Sequence, residues 1–157
     1  EELSGAISGL QDEAREAREA SREQALKKGL EDVGALVESA ELMDGAAVVT
    51  GQVAAADASG LRQVSDDVKN RLGGPAAVVL AADVDGKAVL IANLHPEVSR
   101  RIGAGEIVRE ASAVLGGRGG GSPTMGQGGG GEVTAIPKAL SKARDIIGQR
   151  LAGPSKA

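Results

Sequence analysis

The stretch G-G-R-G-G-G-S-P-T-M-G-Q-G-G-G-G, from Gly116 to Gly131, decides how this chain folds. Ten of its sixteen residues are glycine, which loses more conformational freedom on folding than any other residue. Such a run is either a flexible linker or a segment whose backbone passes very close to another group. Because Pro123, Met125 and Gln127 interrupt the glycines and a helix is predicted on each side, we favour the ordered segment.

Apolar residues at helical spacing flank the glycine stretch. They are Ile102, Ile107, Ala111, Val114 and Leu115 before it, and Ile136, Leu140, Ile146, Ile147 and Leu151 after it. The first series predicts a helix that begins near Gly103, and the second predicts a final helix that begins near Pro137. The glycine stretch is therefore expected to be a loop that joins two helices of a folded domain.

Three short runs upstream, rich in apolar and β-branched residues, predict strands at 46–53, 76–82 and 87–93. Asp57 is a suitable N-cap for a helix that ends near Leu72, before Gly73-Gly74-Pro75. Asp85-Gly86 predicts a tight hairpin turn between the second and third strands. The order β-α-β-β-α, followed by the glycine stretch and a last helix, predicts an α/β fold.

The first part of the chain is predicted to be helical. Small or apolar residues recur there at alternating steps of four and three, the period of a coiled coil: Leu3, Ile7, Leu10, Ala14, Ala17 and Ser21. Lys27-Lys28-Gly29 is typical of a helix C-terminus, and a second apolar series runs from Leu30 to Met43. That series is either a helix folded back on the first or a broken continuation of it. We favour a helical hairpin that ends at Asp44-Gly45.

Two units and a tail follow from this pattern. We predict a coiled-coil-like helical hairpin arm over 1–44, a small sheet-plus-helices globular domain of the α/β class over 45–152, and a disordered tail over 153–157. The small residues along the arm serve either packing within the arm or self-association.

Composition excludes several classes of function. The chain has no Cys, one His, and no Phe, Tyr or Trp, so disulfides, zinc–thiolate sites and stacking of bases on aromatic rings are not available. His95 precedes Pro96 and has no partner for a metal site or a catalytic triad, so we predict a structural or surface role for it. No catalytic or metal-binding residue is predicted. No apolar run is long enough for a membrane helix, and a cytoplasmic protein is expected.

Charge is distributed unevenly: residues 1–44 carry a net charge of −7, whereas residues 100–150 carry +4. Eight cations in the second segment are candidate contacts for nucleic-acid phosphates: Arg100, Arg101, Arg109, Arg118, Lys138, Lys142, Arg144 and Arg150. Such contacts position a protein on a nucleic acid without reading its sequence. Lys138 and Lys142 lie one helical turn apart and are expected to share a face.

The motif around the glycines resembles the C-terminal domain of alanyl-tRNA synthetases, a module that also occurs in DHH-type phosphoesterases. In that family a helix ending A-A-x-V/L-G-G is followed by x-G-G-G-R/K-x-x-x-A-Q-A/G-G-G. The matching residues here are Ala113, Val114, Leu115, Gly116, Gly117, Gly119, Gly120, Gly121, Gln127, Gly128, Gly129 and Gly130. Ser122 stands where the family has Arg or Lys, and Gly126 stands where it has Ala.

The resemblance implies a non-catalytic module that binds tRNA(Ala), supports a homodimer through the arm, and adjoins the other domains of a parent synthetase. It implies no cofactor in this chain, while the parent would use ATP, Mg and Zn. Two alternatives stay open. One is the substrate-binding lobe of a DHH-type phosphoesterase, in which a His typically follows the three glycines; the other is a domain that serves oligomerisation alone.

Overall fold

A computed structural model describes residues 2–43 and 45–152, with side chains described from Glu13 to Leu151 outside that gap; the predicted disordered tail lies outside the described residues. The helices are α1 (Glu2–Glu31), α2 (Val33–Glu38), α3 (Ala58–Leu72), α4 (Pro96–Ser99), α5 (Ala104–Val114) and α6 (Ile136–Ala152), with a 3₁₀ turn at Val133–Ala135. The strands are β1 (Glu41–Met43), β2 (Ala46–Gln52), β3 (Ala76–Val84), β4 (Lys87–Leu94), β5 (Arg118–Gly121) and β6 (Met125–Gly130). They form one sheet in the order β1-β2-β3-β4-β6-β5.

The strands β2 and β3 are parallel, and α3 makes the crossover between them. The helix begins where the sequence predicts, because the Asp57 side chain accepts a hydrogen bond from the Gly60 N–H at 2.8 Å. It ends at Gly73, whose φ of 70° is the left-handed conformation that favours glycine. β3 and β4 are antiparallel and joined at Asp85 and Gly86, with φ of 52° and 82°, which confirms the predicted turn.

Helices cover the two faces of the sheet unevenly. α5 and α6 bury one face, where Ile107, Leu115 and Ile147 are fully buried. α3 lies on the other face over β3 and β4, and α1 and α2 pack beside it. Among the described helices, α5 packs most closely on β5 and β6, and on the other face Met125, at the start of β6, packs against the core beneath α3. The α/β fold with a long N-terminal helix is confirmed.

The arm differs from the predicted helical hairpin. α1 continues to Glu31, past Lys27-Lys28-Gly29, and the backbone at Asp32 keeps helical angles of φ −78° and ψ −10°. One residue in that conformation cannot reverse the chain, so α2 is a broken continuation of α1. Gly29 lies inside the helix and is not a C-cap: a Cβ there would lie 2.6 Å from the Ala54 carbonyl oxygen. The glycine permits a close approach between helix and loop.

The second apolar series also ends differently from the prediction. α2 stops at Glu38, and the residues predicted to extend it form β1, which pairs antiparallel with β2 at the edge of the sheet. Glu41 pairs with Arg144 of α6, and Met43 packs on the same helix near Gly148. These tertiary contacts, which a local pattern does not reveal, favour the strand. The division of the chain at residue 44 stays a prediction.

The glycine stretch is not the predicted loop between two helices. It forms β5 and β6, which pair with each other, and β6 joins the sheet through β4. The segment 118–130, which comprises these strands and the turn between them, is named the glycine hairpin below. The stretch is ordered and closely packed, as expected, but its backbone hydrogen bonds belong to a sheet.

Candidate nucleic-acid interface at the glycine hairpin

One face of the glycine hairpin is pressed against α5. A Cβ on Gly119 would lie 2.8 Å from the Ser112 Oγ, and a Cβ on Gly126 would lie 2.7 Å from the Ala104 carbonyl oxygen. A Cβ on Gly128 would also overlap the Ser112 side chain. Because these separations are shorter than carbon atoms tolerate, only glycine lets α5 rest directly on the strand backbone.

Three further glycines bring backbone segments close to one another. Cβ atoms on Gly117, Gly129 and Gly130 would overlap the carbonyl oxygens of Gly129, Ala88 and Leu115, respectively. Much of the motif that the sequence analysis singled out is therefore required for packing, whatever else it does.

The other face of the hairpin is open. Side chains alternate along a strand, so Arg118, Gly120 and Gln127 face away from α5. No atom of the described residues lies within 4 Å of the position that a Cβ on Gly120 would occupy, and the Arg118 and Gln127 side chains are exposed. Gly120 lies opposite Gln127 in the register. A patch of bare backbone therefore lies beside an amide and a guanidinium group; it is named the open face below.

A shallow recess of about 250 Å³ lies at the tip of the hairpin, where α5 begins. Its lining includes Arg109 of α5 and the turn residues Ser122 and Pro123. The N–H groups of Ala104 and Gly105 donate to the carbonyl oxygens of Pro123 and Ser122 at 2.8 and 3.2 Å, respectively. The turn is thus held against the helix end by bonds that also satisfy two of the free helical N–H groups.

Ser122, at the position where the family carries a cation, closes the hairpin turn. Its Oγ accepts a hydrogen bond from the Met125 N–H at 3.1 Å and donates to the Met125 carbonyl oxygen at 3.2 Å. Its own N–H donates to the same carbonyl oxygen at 2.9 Å. The hydroxyl therefore serves the turn. The charged groups that line the recess are the Arg109 guanidinium and the Glu106 carboxylate, and Glu106 pairs with Arg150.

The predicted cations do not form one surface. Lys138 and Lys142 are both exposed on α6, and Arg109 is exposed on α5, so these three lie on the layer of helices that covers one side of the sheet. Arg118 faces the opposite side, on the open face. The sequence places these side chains close together in the chain, but the sheet separates them.

The remaining candidates lie elsewhere. Arg144 and Arg150 pair with carboxylates of β1 and α5. Arg100 and Arg101 follow α4, and Arg101 lines a second recess near the start of β2. β1 and β5 are opposite edges of the sheet, roughly 24 Å apart for six strands, so Arg144 lies far from the open face.

A polar cluster beside the open face was missed by the sequence analysis. Asn93 of β4 is 1% exposed; its Oδ1 accepts from the Lys69 Nζ at 2.9 Å, and its Nδ2 donates to an Asp66 oxygen at 2.6 Å. Asn93 lies in register with Met125 of the hairpin, so Lys69 of α3 borders the open face. An Asn at a strand end is an ordinary turn signal, and no sequence pattern marks it for this contact.

His95 has the structural role predicted for it, because its Nδ1 accepts a hydrogen bond from the Glu97 N–H at 3.2 Å at the start of α4. Within the described part of the chain, no three His, Cys, Asp or Glu side chains come together as ligands for a metal ion. None of the described helices is long and apolar enough to cross a membrane.

The chain belongs to the DHHA1 domain family, whose family model matches residues 45–149. It is 64% identical over 153 residues to the alanine–tRNA ligase of Rubrobacter xylanophilus and 42% identical over 112 residues to that of Desulfosudis oleivorans. These matches cover 98% and 71% of this chain but only 17% and 13% of the two relatives. The chain thus spans less than a fifth of their length.

Two solved structures are similar to this one. The C-Ala domain from Aquifex aeolicus alanyl-tRNA synthetase matches with a TM-score of 0.63 and 25% identity, over 70% of this chain and 98% of that chain. RecJ in complex with Mg²⁺ from Thermus thermophilus matches with a TM-score of 0.53 and 19% identity, over 92% of this chain and 20% of that chain. The second likeness shows the fold alone. The resemblance to the C-terminal domain of alanyl-tRNA synthetases is confirmed.

Proposed function

We propose that this chain is the C-terminal module of an alanine–tRNA ligase and that it binds tRNA(Ala) at the open face of the glycine hairpin. It holds the tRNA while the other domains of the enzyme, with ATP, Mg and Zn, carry out aminoacylation and editing in the cytoplasm. The observation that carries the proposal is the contrast between the two faces of the hairpin. α5 occupies one face, whereas the other is bare backbone bordered by Arg118 and Lys69.

A bare strand backbone suits the ribose–phosphate chain of RNA. At Gly120 no side chain keeps a phosphate or a 2′-hydroxyl at a distance, and an edge strand such as β5 has N–H groups without a strand partner. Arg118 supplies positive charge, and the Gln127 amide both donates and accepts hydrogen bonds. Since the chain has no Phe, Tyr or Trp, recognition relies on the shape and charge of the RNA backbone.

The outer surface of the α5–α6 layer is the alternative location for the tRNA-binding surface. Lys138 and Lys142 are exposed there, but so are the carboxylates of Glu110 and Asp145, which reduce the attraction for phosphate. The described residues of β5 and β6 include no carboxylate, and the Asp66 carboxylate near Lys69 is half-buried and accepts a hydrogen bond from the Asn93 amide. This difference in local charge favours the hairpin.

Matched double variants separate the two locations. Lys69→Ala with Arg118→Ala on the open face, and Lys138→Ala with Lys142→Ala on the α5–α6 layer, each remove two positive charges. Titration with a tRNA(Ala) transcript at several salt concentrations should show that the first pair weakens binding by about tenfold and lowers the salt slope by roughly two. The second pair should change affinity by less than about threefold. A larger effect of the second pair, or an affinity insensitive to both pairs and to salt, would contradict the proposal.

The phosphoesterase alternative has less support. Ser122 stands where that group typically carries a His, and its hydroxyl is engaged in the hairpin turn. A module that serves oligomerisation alone would leave the open face without a ligand, and the tRNA titration separates it from the proposal.

The proposed function includes self-association through the arm. Every side chain of α1 from Glu13 to Gln24 is exposed, so this part of the helix stands clear of its own domain. The stability of an isolated helix of this length is marginal in water. Packing against the arm of a second copy of the chain would stabilise it. Sedimentation of the chain with and without residues 1–31 tests this part of the proposal. A monomer in both cases would contradict self-association through the arm.

A further inference from the structure

The arm is attached to the domain near the C-terminal end of α1. Gly29 is buried against Ala54, and the Arg22 guanidinium pairs with the Asp57 carboxylate at 3.1 Å. The side chains from Glu13 to Gln24 are exposed, a length of about 18 Å. The helix therefore projects from a fixed base.

A seam of small residues runs along the projecting part. Ala14, Ala17 and Ser21 follow one another at steps of three and four, so they lie on one side of α1. The same period extends back in the sequence through Leu10, Ile7 and Leu3. The seam of small residues ends before the domain, because continuing the same steps of three and four reaches Lys28, whose side chain is long and charged.

The two flanks of this seam carry opposite charges. With about 100° of rotation per residue, the basic residues lie on one side of the seam and the acidic residues on the other. Arg18 and Glu13 lie directly beside the seam, on its basic and acidic side respectively, at the positions that face a partner helix. Arg15 and Arg22 on the basic side, and Glu16 and Glu23 on the acidic side, lie farther from the seam. Within the described residues, Arg22 alone of these six forms an ion pair with the domain.

This distribution distinguishes two ways of pairing two arms across their seams. In a parallel pair, the acidic flank of each helix faces the basic flank of the other. In an antiparallel pair, the acidic flank of one helix faces the acidic flank of the other, the two basic flanks also face each other, and the like charges repel. Small seam residues bury little apolar area, so these charges decide the orientation.

We propose that two copies of this chain pair their arms in parallel and in register, with Glu13 of each copy facing Arg18 of the other. The five-residue offset is the one that joins facing charged positions in a parallel two-stranded coiled coil. This inference rests on the self-association included in the proposed function, and it specifies the geometry. Because Gly29 fixes each domain to the end of its helix, the two domains lie at the same end of the paired arms.

Charge reversal tests the facing pair. In sedimentation equilibrium of the full chain, Glu13→Arg and Arg18→Glu should each weaken the dimer by about tenfold, since each replaces two attractive pairs with two repulsive ones. The double variant should return to within about threefold of the unmodified chain. Residues 13 and 18 are not neighbours on one helix, so the rescue reports a contact between copies. Glu19→Arg, on the side opposite the seam, is the control and should change little.

Cysteine cross-linking tests the orientation, because the chain has no Cys of its own. Ala14→Cys and Ser21→Cys, made separately, should each give a disulfide-linked dimer on mild oxidation. In an antiparallel pair, identical residues meet only at the centre, so at most one of the two variants would cross-link.

The outcomes separate this inference from the proposed function. A dimer that ignores both charge reversals, or that cross-links at only one position, overturns the parallel pairing and leaves self-association intact. A monomer at every concentration overturns both the pairing and the self-association. Affinity for tRNA(Ala), measured on the same variants, should stay within about twofold because the arm charges lie away from the hairpin.

Discussion

The strands β3 and β6 bury their backbones in opposite ways. In β3, residues 76–82 are all Ala, Val or Leu and all fully buried, and their side chains fill both faces of the sheet. In β6, Gly126 and Gly128 have no side chains, and α5 packs on the backbone itself. Packing in the β3 half of the sheet therefore depends on the volume of the side chains, whereas packing of α5 on β6 depends on the absence of side chains from the glycines. Only the second half keeps a face free for a ligand.

The largest effect is expected from removing volume in β3. Leu80 is fully buried, so Leu80→Ala removes apolar contacts and leaves a cavity. We expect the free energy of unfolding to fall by about 3 kcal/mol, measured by urea denaturation. A loss below about 1 kcal/mol would show that the side-chain half of the sheet is less tightly packed than its burial indicates.

The opposite change, adding volume, should destabilise β6. A Cβ on Gly128 would lie 2.7 Å from the Gly119 Cα, a backbone atom that cannot move aside easily. Gly128→Ala should therefore lower the free energy of unfolding by about 2 kcal/mol. Gly120→Ala on the neighbouring strand is the matched control, and it should stay within about 0.5 kcal/mol because nothing lies near its Cβ. Equal effects at the two positions would refute the distinction between the packed and the open face.

A smaller effect is expected where α5 meets the glycines. Among the residues that the structure describes, the buried Ser112 Oγ has no hydrogen-bond partner, whereas the equally buried Ser65 Oγ donates to the Arg62 carbonyl oxygen at 2.7 Å. Ser112→Ala removes an unsatisfied polar group and should stabilise the fold by up to about 1 kcal/mol. Ser65→Ala should destabilise it by a similar amount. Thermal denaturation of both variants checks the difference in sign, and destabilisation by Ser112→Ala would contradict the account.

Several elements could be predicted from the sequence because their signals are local. Asp57 caps α3 through its own side chain, and Asp85-Gly86 adopts the turn that its composition favours. The glycine hairpin could not be predicted as strands, because glycine has low β-propensity and shows no alternation of apolar and polar residues. Gly29 has the local signature of a helix end, but the nearby Ala54 carbonyl oxygen decides its role.

The sequence indicates which segment contains the candidate site, but it does not give the geometry of the site. The sequence predicts that the glycine motif and Arg118 contact nucleic acid, and that role stays a prediction. The distribution of the other cations depends on which side of the sheet each helix covers, and that is a property of the topology. The Lys69 side chain lies beside the open face because its Nζ donates a hydrogen bond to the Asn93 Oδ1. These two residues are far apart in the sequence.

The central claim is that bare backbone on the open face binds RNA. Its most direct test is the affinity of Gly120→Val for a tRNA(Ala) transcript, with the free energy of unfolding measured in parallel. Valine suits a strand and meets nothing within 4 Å at its Cβ, so stability should change by less than about 1 kcal/mol. The account predicts that affinity falls by about tenfold or more, because the new side chain keeps the RNA backbone away. Unchanged affinity in a stable Gly120→Val variant would contradict it.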